Sequence, residues 1–399
     1  MSSAARIALC AVFFAACDPA DIPIGSNLGP GGASSGALSS SASSGGGSTG
    51  ASSIMGCEPG APRVWTDITP PGVDLTVPNS YGVRAVTLDP ADPAVVFVTA
   101  DFQGLWRSAD CGAHWSKLNT GTNGDAIDAG AAWTLAIDPV DHAIYTVSSL
   151  GAFGIWKSVD GGVDWAPLFG PGNVTEPVNP FGSSPDIFDI AIDPAQHLHL
   201  IASFHGAWKG SSDGGILESS DGGATWSLHA PAPGMGTNHV LAFLDSSTRW
   251  LLVNETDGAW ITVDGGATFV KRSSNHHVVG GGQVYRSADG TFYHTGAFGL
   301  FRSTNLGQDW LTIPSGNTQG LVGDGATLFA SDGVAWIGQF YGDVYNPMTS
   351  APESPGDSGW APWGSQTFDN GANRLAIDPG RHLLYASSYR VGLQRVSTE

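Results

Sequence analysis

The sequence predicts an all-β fold: a single seven-bladed β-propeller of four-stranded antiparallel blades, closed by an N-terminal strand. Three observations carry this expectation. The pattern Ser/Thr-x-Asp-x-Gly-x-x-aromatic recurs as SADCGAHW from Ser108, SVDGGVDW from Ser158, SSDGGATW from Ser219, TVDGGATF from Thr262 and STNLGQDW from Ser303, where Asn replaces the Asp. A second repeat, an apolar run ending in Asp-Pro, closes at Pro90, Pro139, Pro194 and Pro379. Composition agrees, because 56 Gly, 25 Pro and 14 Trp with only 13% charged residues suit short strands joined by many turns and exclude a helical bundle.

From the N-terminus, Arg6 and the apolar residues 7–16 read as a targeting segment, too short for the roughly 20 residues a membrane-spanning helix needs. Ala15-Ala16-Cys17 resembles the bacterial lipoprotein signal, although Phe14 stands where that family usually has Leu. The resemblance implies that Cys17 becomes the acylated N-terminus of an exported, cell-envelope or surface lipoprotein. Residues 18–62 are Gly, Ser and Ala with almost no charge, a flexible linker with a reach of roughly 35–40 Å. The membrane is thus a partner only through the anchor.

From residue 63 to 399 the repeats define the propeller. In each unit strand A ends in the Asp-Pro turn, strand B is a β-branched or aromatic run, strand C precedes the Asp motif, and strand D begins at its aromatic. The motif itself reads as a hairpin turn: Asp accepts local N–H groups and the Ser/Thr hydroxyl, Gly supplies a positive φ, and the aromatic fills the space between sheets. Trp115, Trp165, Trp226, Phe269 and Trp310 mark five blades. A sixth, degenerate blade runs from Gly320 to about Trp363, with LVGDG, TLFASDG and the Trp360/Trp363 segment as strands A, B and D. The seventh has NRLAIDP, LLYASS and VGLQRVS but no strand D, so Val64–Ile68 is expected to supply it and remove both exposed sheet edges.

The five turns resemble the Asp-box, or bacterial neuraminidase repeat, of sialidases, sortilin-type receptors and xyloglucanase-type glycoside hydrolases. That resemblance implies a structural role for Asp110, Asp160, Asp221, Asp264 and Asn305. It also implies an extracellular polysaccharide or glycan as ligand. Within xyloglucanase-type enzymes a B–C-loop Asp ahead of a Gly-aromatic-Arg strand is one of two catalytic carboxylates, and Asp101 in VFVTADFQGLWRS resembles it, with Phe102 and Gln103 departing from the family's smaller residues. The family takes its second carboxylate from another propeller. Glu255 or Asp257, on the corresponding loop of blade 4, is the candidate partner here, at the roughly 6.5–9.5 Å that inversion requires.

Propeller geometry puts the A–B and C–D turns on one face and the B–C and D–A loops on the other, around the mouth of the axial channel. On that front face Phe102, Trp133, His205, Trp208, Tyr389 and Arg390 are the candidate substrate contacts, aromatic and polar side chains of the kind sugars need. Arg84, Arg374 and Arg390 stand where an arginine triad of the sialidase kind would assemble, yet that family's Arg-Ile-Pro signature is absent. His205, His239, His276 and His277 show no ligand spacing, so no metal and no cofactor is expected. A net charge of −20 excludes a nucleic-acid partner. A monomer is expected. Two readings stay open: a propeller that binds or hydrolyses a polysaccharide, and a non-catalytic platform for protein–protein assembly. Finally, with Cys10 removed and Cys17 acylated, Cys57 and Cys111 are left to pair in an oxidising compartment, both on the back face.

Overall fold

The computed structural model describes residues 56–78, 80–149, 154–169, 187–204, 214–254, 258–274, 282–296, 299–314, 318–331, 345–369 and 371–399. Cys17, the targeting segment and most of the linker lie outside these residues. Seven sheets form, each of four antiparallel strands, and the predicted propeller is borne out. The innermost strands A are Val83–Leu88, Ala131–Ile137, Ile187–Asp193, Asn238–Phe243, Val284–Arg286, Leu321–Gly323 and Ala372–Asp378. Each lies beside the next, and the seventh lies beside the first, so the ring closes.

Closure is made as the missing strand D requires. Thr66–Asp67 pairs with the last strand, Gly392–Ser397, through Thr66 opposite Arg395 and Asp67 opposite Gln394. Flanking bonds extend the contact, Ile68 N–H to Leu393 O at 2.9 Å and Arg63 N–H to Ser397 O at 3.0 Å. Trp65 falls just outside the strand. Its ring instead packs edge-on to Phe368 and Trp363 of blade 6, 5.1 and 6.0 Å away. A disulfide joins Cys57 to Cys111 with a Cα separation of 5.1 Å, and Arg395 Nη1 donates to the carbonyls of both Gly56 and Cys111.

Apolar side chains from facing sheets form the core between blades. Trp133, Val147, Ile155 and Phe169 of blade 2, for example, meet Phe188, Ile190, Leu200 and Leu217 of blade 3. Blade 6 also has a third strand, Tyr345–Pro352, which the sequence pattern left unassigned. Strand D of each repeated unit starts one residue after the aromatic, not at it: Ser116, Ala166, Ser227, Val270 and Leu311. The reason is visible in blades 1 and 2, where the indole N–H of Trp115 and of Trp165 bonds back to Gly112 O and Gly162 O and keeps the ring in the turn.

Candidate functional site

The back face is built from the repeated turns. In each, the Ser or Thr hydroxyl donates to the Asp or Asn side-chain oxygen, at 2.8, 2.8, 2.8, 2.7 and 3.0 Å for Asp110, Asp160, Asp221, Asp264 and Asn305. The same hydroxyl accepts the N–H of the second glycine position, Gly112, Gly162, Gly223, Gly266 and Gly307. Hydrogen bonds from Thr268 and Thr262 hold Asp264 down to about 2, so its charge serves the turn. Cys111 N–H bonds to Ala94 O and Gly222 N–H to Leu198 O, which places the motif turns beside the Asp-Pro turns on one face.

The front face begins with an irregularity shared by five strands A. Their register with strand B shifts between Val83 and Ala85, Ala132 and Thr134, Ile187 and Asp189, Asn238 and Val240, and Ala372 and Arg374. Each shift is a β-bulge, which re-aims the extra residue and breaks the side-chain alternation. Arg84, Trp133 and Phe188 are bulge residues of blades 1 to 3, and they touch. The Arg84 guanidinium lies 3.8 Å from the Trp133 ring centroid and 3.9 Å from that of Tyr81, and Trp133 lies 4.5 Å from Phe188. Tyr389 continues the belt 6.3 Å from Tyr81, with Arg390 over its ring at 5.0 Å. Cation–π contacts of this kind strengthen when desolvated.

Asp101 holds this sandwich in place. Arg84 Nε donates to Oδ1 at 2.7 Å and Nη2 to Oδ2 at 2.5 Å, a bidentate pair, and Tyr81 N–H adds a bond to Oδ2 at 3.0 Å. The carboxylate is 0% exposed, and both its oxygens are engaged. Next to it Phe102 adopts φ 60°, a left-handed conformation costly for a bulky residue, fixed by its N–H to Gly130 O and by the neighbouring Gln103, whose amide grips both N–H and C=O of Asp74. Thus the structure gathers Asp101, Phe102, Trp133, Tyr389 and Arg390 around one quadrant of the mouth. Glu255, Asp257, His205 and Trp208 lie outside the described residues.

Directly behind the bulges sits a polar layer that the sequence reading passed over, apart from Arg374. Thr134 Oγ1 donates to Asp189 Oδ1 at 3.0 Å and accepts from Arg374 Nη2 at 3.2 Å, while Arg374 Nη1 reaches Gly282 O. These contacts cross the axis from blade 7 to blades 2, 3 and 5. Burial pushes Asp189 up, against the opposing effect of Arg374, and pushes Arg374 down. A cavity of about 340 Å³ adjoins the layer, lined by Asp189, Gln283 and Arg374 together with Ile192, Leu241 and Phe243. A signal for it was present. Aligned on their Asp-Pro turns, the strands place Thr134, Asp189 and Arg374 in one column, five residues before the proline, where an inner strand would otherwise be apolar.

Comparison with known proteins adds a family likeness. No protein-family model matches the chain. In sequence it is similar to a xyloglucanase of Hypocrea jecorina, 32% identical over 115 residues, or 26% of this chain. The match spans only 14% of that relative's length. In fold it is similar to the GH74 enzyme of Niastella koreensis, with a TM-score of 0.58 and 18% identity, covering 78% of this chain and 52% of that one. YCF48 from Cyanidioschyzon merolae gives a TM-score of 0.55 at 12% identity over 84% of this chain and 98% of its own. At such identities the two solved structures speak for the fold alone.

Proposed function

We propose that this protein is an exported, surface-tethered propeller that binds an extracellular polysaccharide at its front mouth. The observation that carries the reading is the cluster at the mouth, where half-buried Tyr81 and exposed Arg390 overlie the buried Tyr389, Arg84 and Trp133, in a chain similar in sequence to a xyloglucanase. Sugars present C–H faces to such rings and hydroxyls to such guanidinium groups. The lipoprotein-like Cys17 and the Gly/Ser leash support the tethered placement, since stable anchoring needs more than one acyl chain and a lipoprotein terminus supplies them. Binding is favoured over hydrolysis, because Asp101 spends both oxygens on Arg84 and Tyr81.

The test is a polysaccharide array that includes xyloglucan, followed by measurement of reducing ends on every hit. Tyr81→Ala and Tyr389→Ala should each weaken binding by roughly tenfold, the loss of one aromatic contact. Reducing-end release abolished by Asp101→Asn in a folded protein would upgrade the reading to hydrolysis, with Glu255 or Asp257 as partner. No binding to any polysaccharide would remove it. A second reading, a peptide-docking platform, draws support from the near full-length fold likeness to YCF48, which has also been solved bound to D1 peptide. Peptide-array binding in the absence of any glycan hit would select it.

A further inference from the structure

The axial layer carries more than a structural tie. We propose that the cavity behind it is a second binding site, for a neutral, hydroxyl-rich small molecule of about monosaccharide size. Its polar wall offers a donor and an acceptor side by side. Arg374 spends N–H groups on Gly282 O and Thr134 Oγ1, out of the five a guanidinium carries. Asp189 accepts from Thr134, Ile190 N–H and Leu241 N–H, three bonds where a carboxylate has about four lone-pair positions. Gln283, by contrast, is consumed by the fold: its Oε1 accepts from Leu321 and Leu375 N–H, and its Nε2 donates to Leu375 O. It is wall and not recognition group.

Charge decides the ligand class. A cation and an anion bridged by one hydroxyl offset each other, so the layer suits a molecule that both donates and accepts without net charge. Vicinal hydroxyls do this. The net charge of −20 works against an anionic competitor. Ile192, Leu241 and Phe243 add apolar residues to the lining beside the polar layer. A volume of about 340 Å³ lies at the small end of ligand pockets and accommodates a single ring. Burial pushes Asp189 up and Arg374 down, so a ligand's hydrogen bonds to either group gain from the low local dielectric. The inference does not rest on the rim reading.

The experiment titrates the full chain with glucose, galactose and xylose by calorimetry and saturation-transfer NMR, up to ~20 mM, well above a millimolar Kd. Saturable binding is expected. Ala242→Leu fills the cavity from a lining residue outside the polar layer and should weaken that binding at least ~10-fold, as should Asp189→Asn. Should Asp189→Asn fail to fold, Ala242→Leu decides alone. No saturable binding by any of the three sugars overturns the proposal. So does binding that Ala242→Leu leaves intact, and so does preference for acetate or glucuronate over neutral sugars. Polysaccharide binding scored in parallel separates the sites: retained polymer binding with no monosaccharide binding defeats the axial site and spares the rim.

Discussion

Asp101 closes the front end of strand B with a buried carboxylate, and its bidentate hold on Arg84 depends on the bulge that turns Arg84 toward it. Breaking a buried pair from one side strands a charge, so Asp101→Asn should cost roughly 3–5 kcal/mol and lower the melting temperature, while the double change Arg84→Met with Asp101→Leu should recover a large part of the loss. A melting temperature unmoved by Asp101→Asn would show that the pair does not hold the mouth. On the back of blade 3 a second cluster links Asp193 to His199 at 2.8 Å, His199 to Glu218 at 2.8 Å and Glu218 to His229 at 2.7 Å. Burial acts to raise Glu218, but the bonds and charges of His199 and His229 outweigh it and hold it down to about 2, against an ordinary 4.5. Burial likewise acts to lower His199, and its bonds to Glu218 and Asp193 raise it above 6.5. The depressed Glu218 therefore stabilises the fold fully above about pH 4.5 and ceases to do so as pH falls toward 2. The raised His199 stabilises fully below 6.5 and ceases to do so as pH climbs through its folded value. Melting curves across pH should show an acid limb between 4.5 and 2 that Glu218→Gln flattens. An acid limb unchanged in that variant would assign it to other carboxylates.

At the scale of elements, the turns were the most legible part of the chain because their function is local: one hydroxyl, one carboxylate and one glycine within five residues. What the sequence did not disclose is that the second glycine also makes the contact between blades. A Cβ on Gly162 would stand 2.7 Å from Leu118 Cδ1, on Gly223 2.3 Å from Leu168 Cδ1, and on Gly112 2.4 Å from Ile68 Cδ1, each a side chain of the strand D segment just upstream. The turn is therefore where one blade rests on the last. Gly223→Ala meets both this overlap and a φ of +90°, and should destabilise by about 3 kcal/mol, whereas Gly290→Ala, also at positive φ but with open space around it, should cost only about 1 kcal/mol. Chemical denaturation of the two variants makes the comparison; equal losses would confine the glycine's role to backbone conformation. Strand A was legible in the opposite sense. Its apolar run and Asp-Pro end were plain, but the bulges shift Arg84, Trp133 and Phe188 out of alternation, so their shared aim at the axis emerges only when the strands are paired.

For the whole molecule, the question is what keeps a ring of seven blades shut when its closing strand has two residues, Thr66 and Asp67. Two ladder positions are too few to hold against the entropy of a free N-terminal segment, and the remaining grip is distributed around them. Ile68 packs into the space that Gly112 leaves in the first blade's turn, Trp65 wedges against Phe368 and Trp363 of blade 6, and Arg395 of the last strand binds the carbonyls on both sides of the Cys57–Cys111 bond. The seam thus joins blades 6, 7 and 1 through residues 56–69. The count of cysteines and the oxidising compartment expected from the targeting segment made the cysteine pair readable, and the missing strand D made the closing strand readable; the contribution of Trp65 to blade 6 was not, because the repeat pattern assigns that residue to the strand itself. Cys57→Ser with Cys111→Ser should lower stability by about 2–4 kcal/mol and leave the ring closed. Deleting residues 63–69 should do more, since it removes the ladder, Ile68 and Trp65 together and exposes the outer edge of Gly392–Ser397 to pairing with other chains. The expected result is a large fall in melting temperature accompanied by oligomers on size exclusion, while deletion of residues 20–50 within the linker leaves both unchanged. A 63–69 deletion that melts like the intact chain and stays monomeric would mean that blades 1 and 7 hold each other through their inner strands alone.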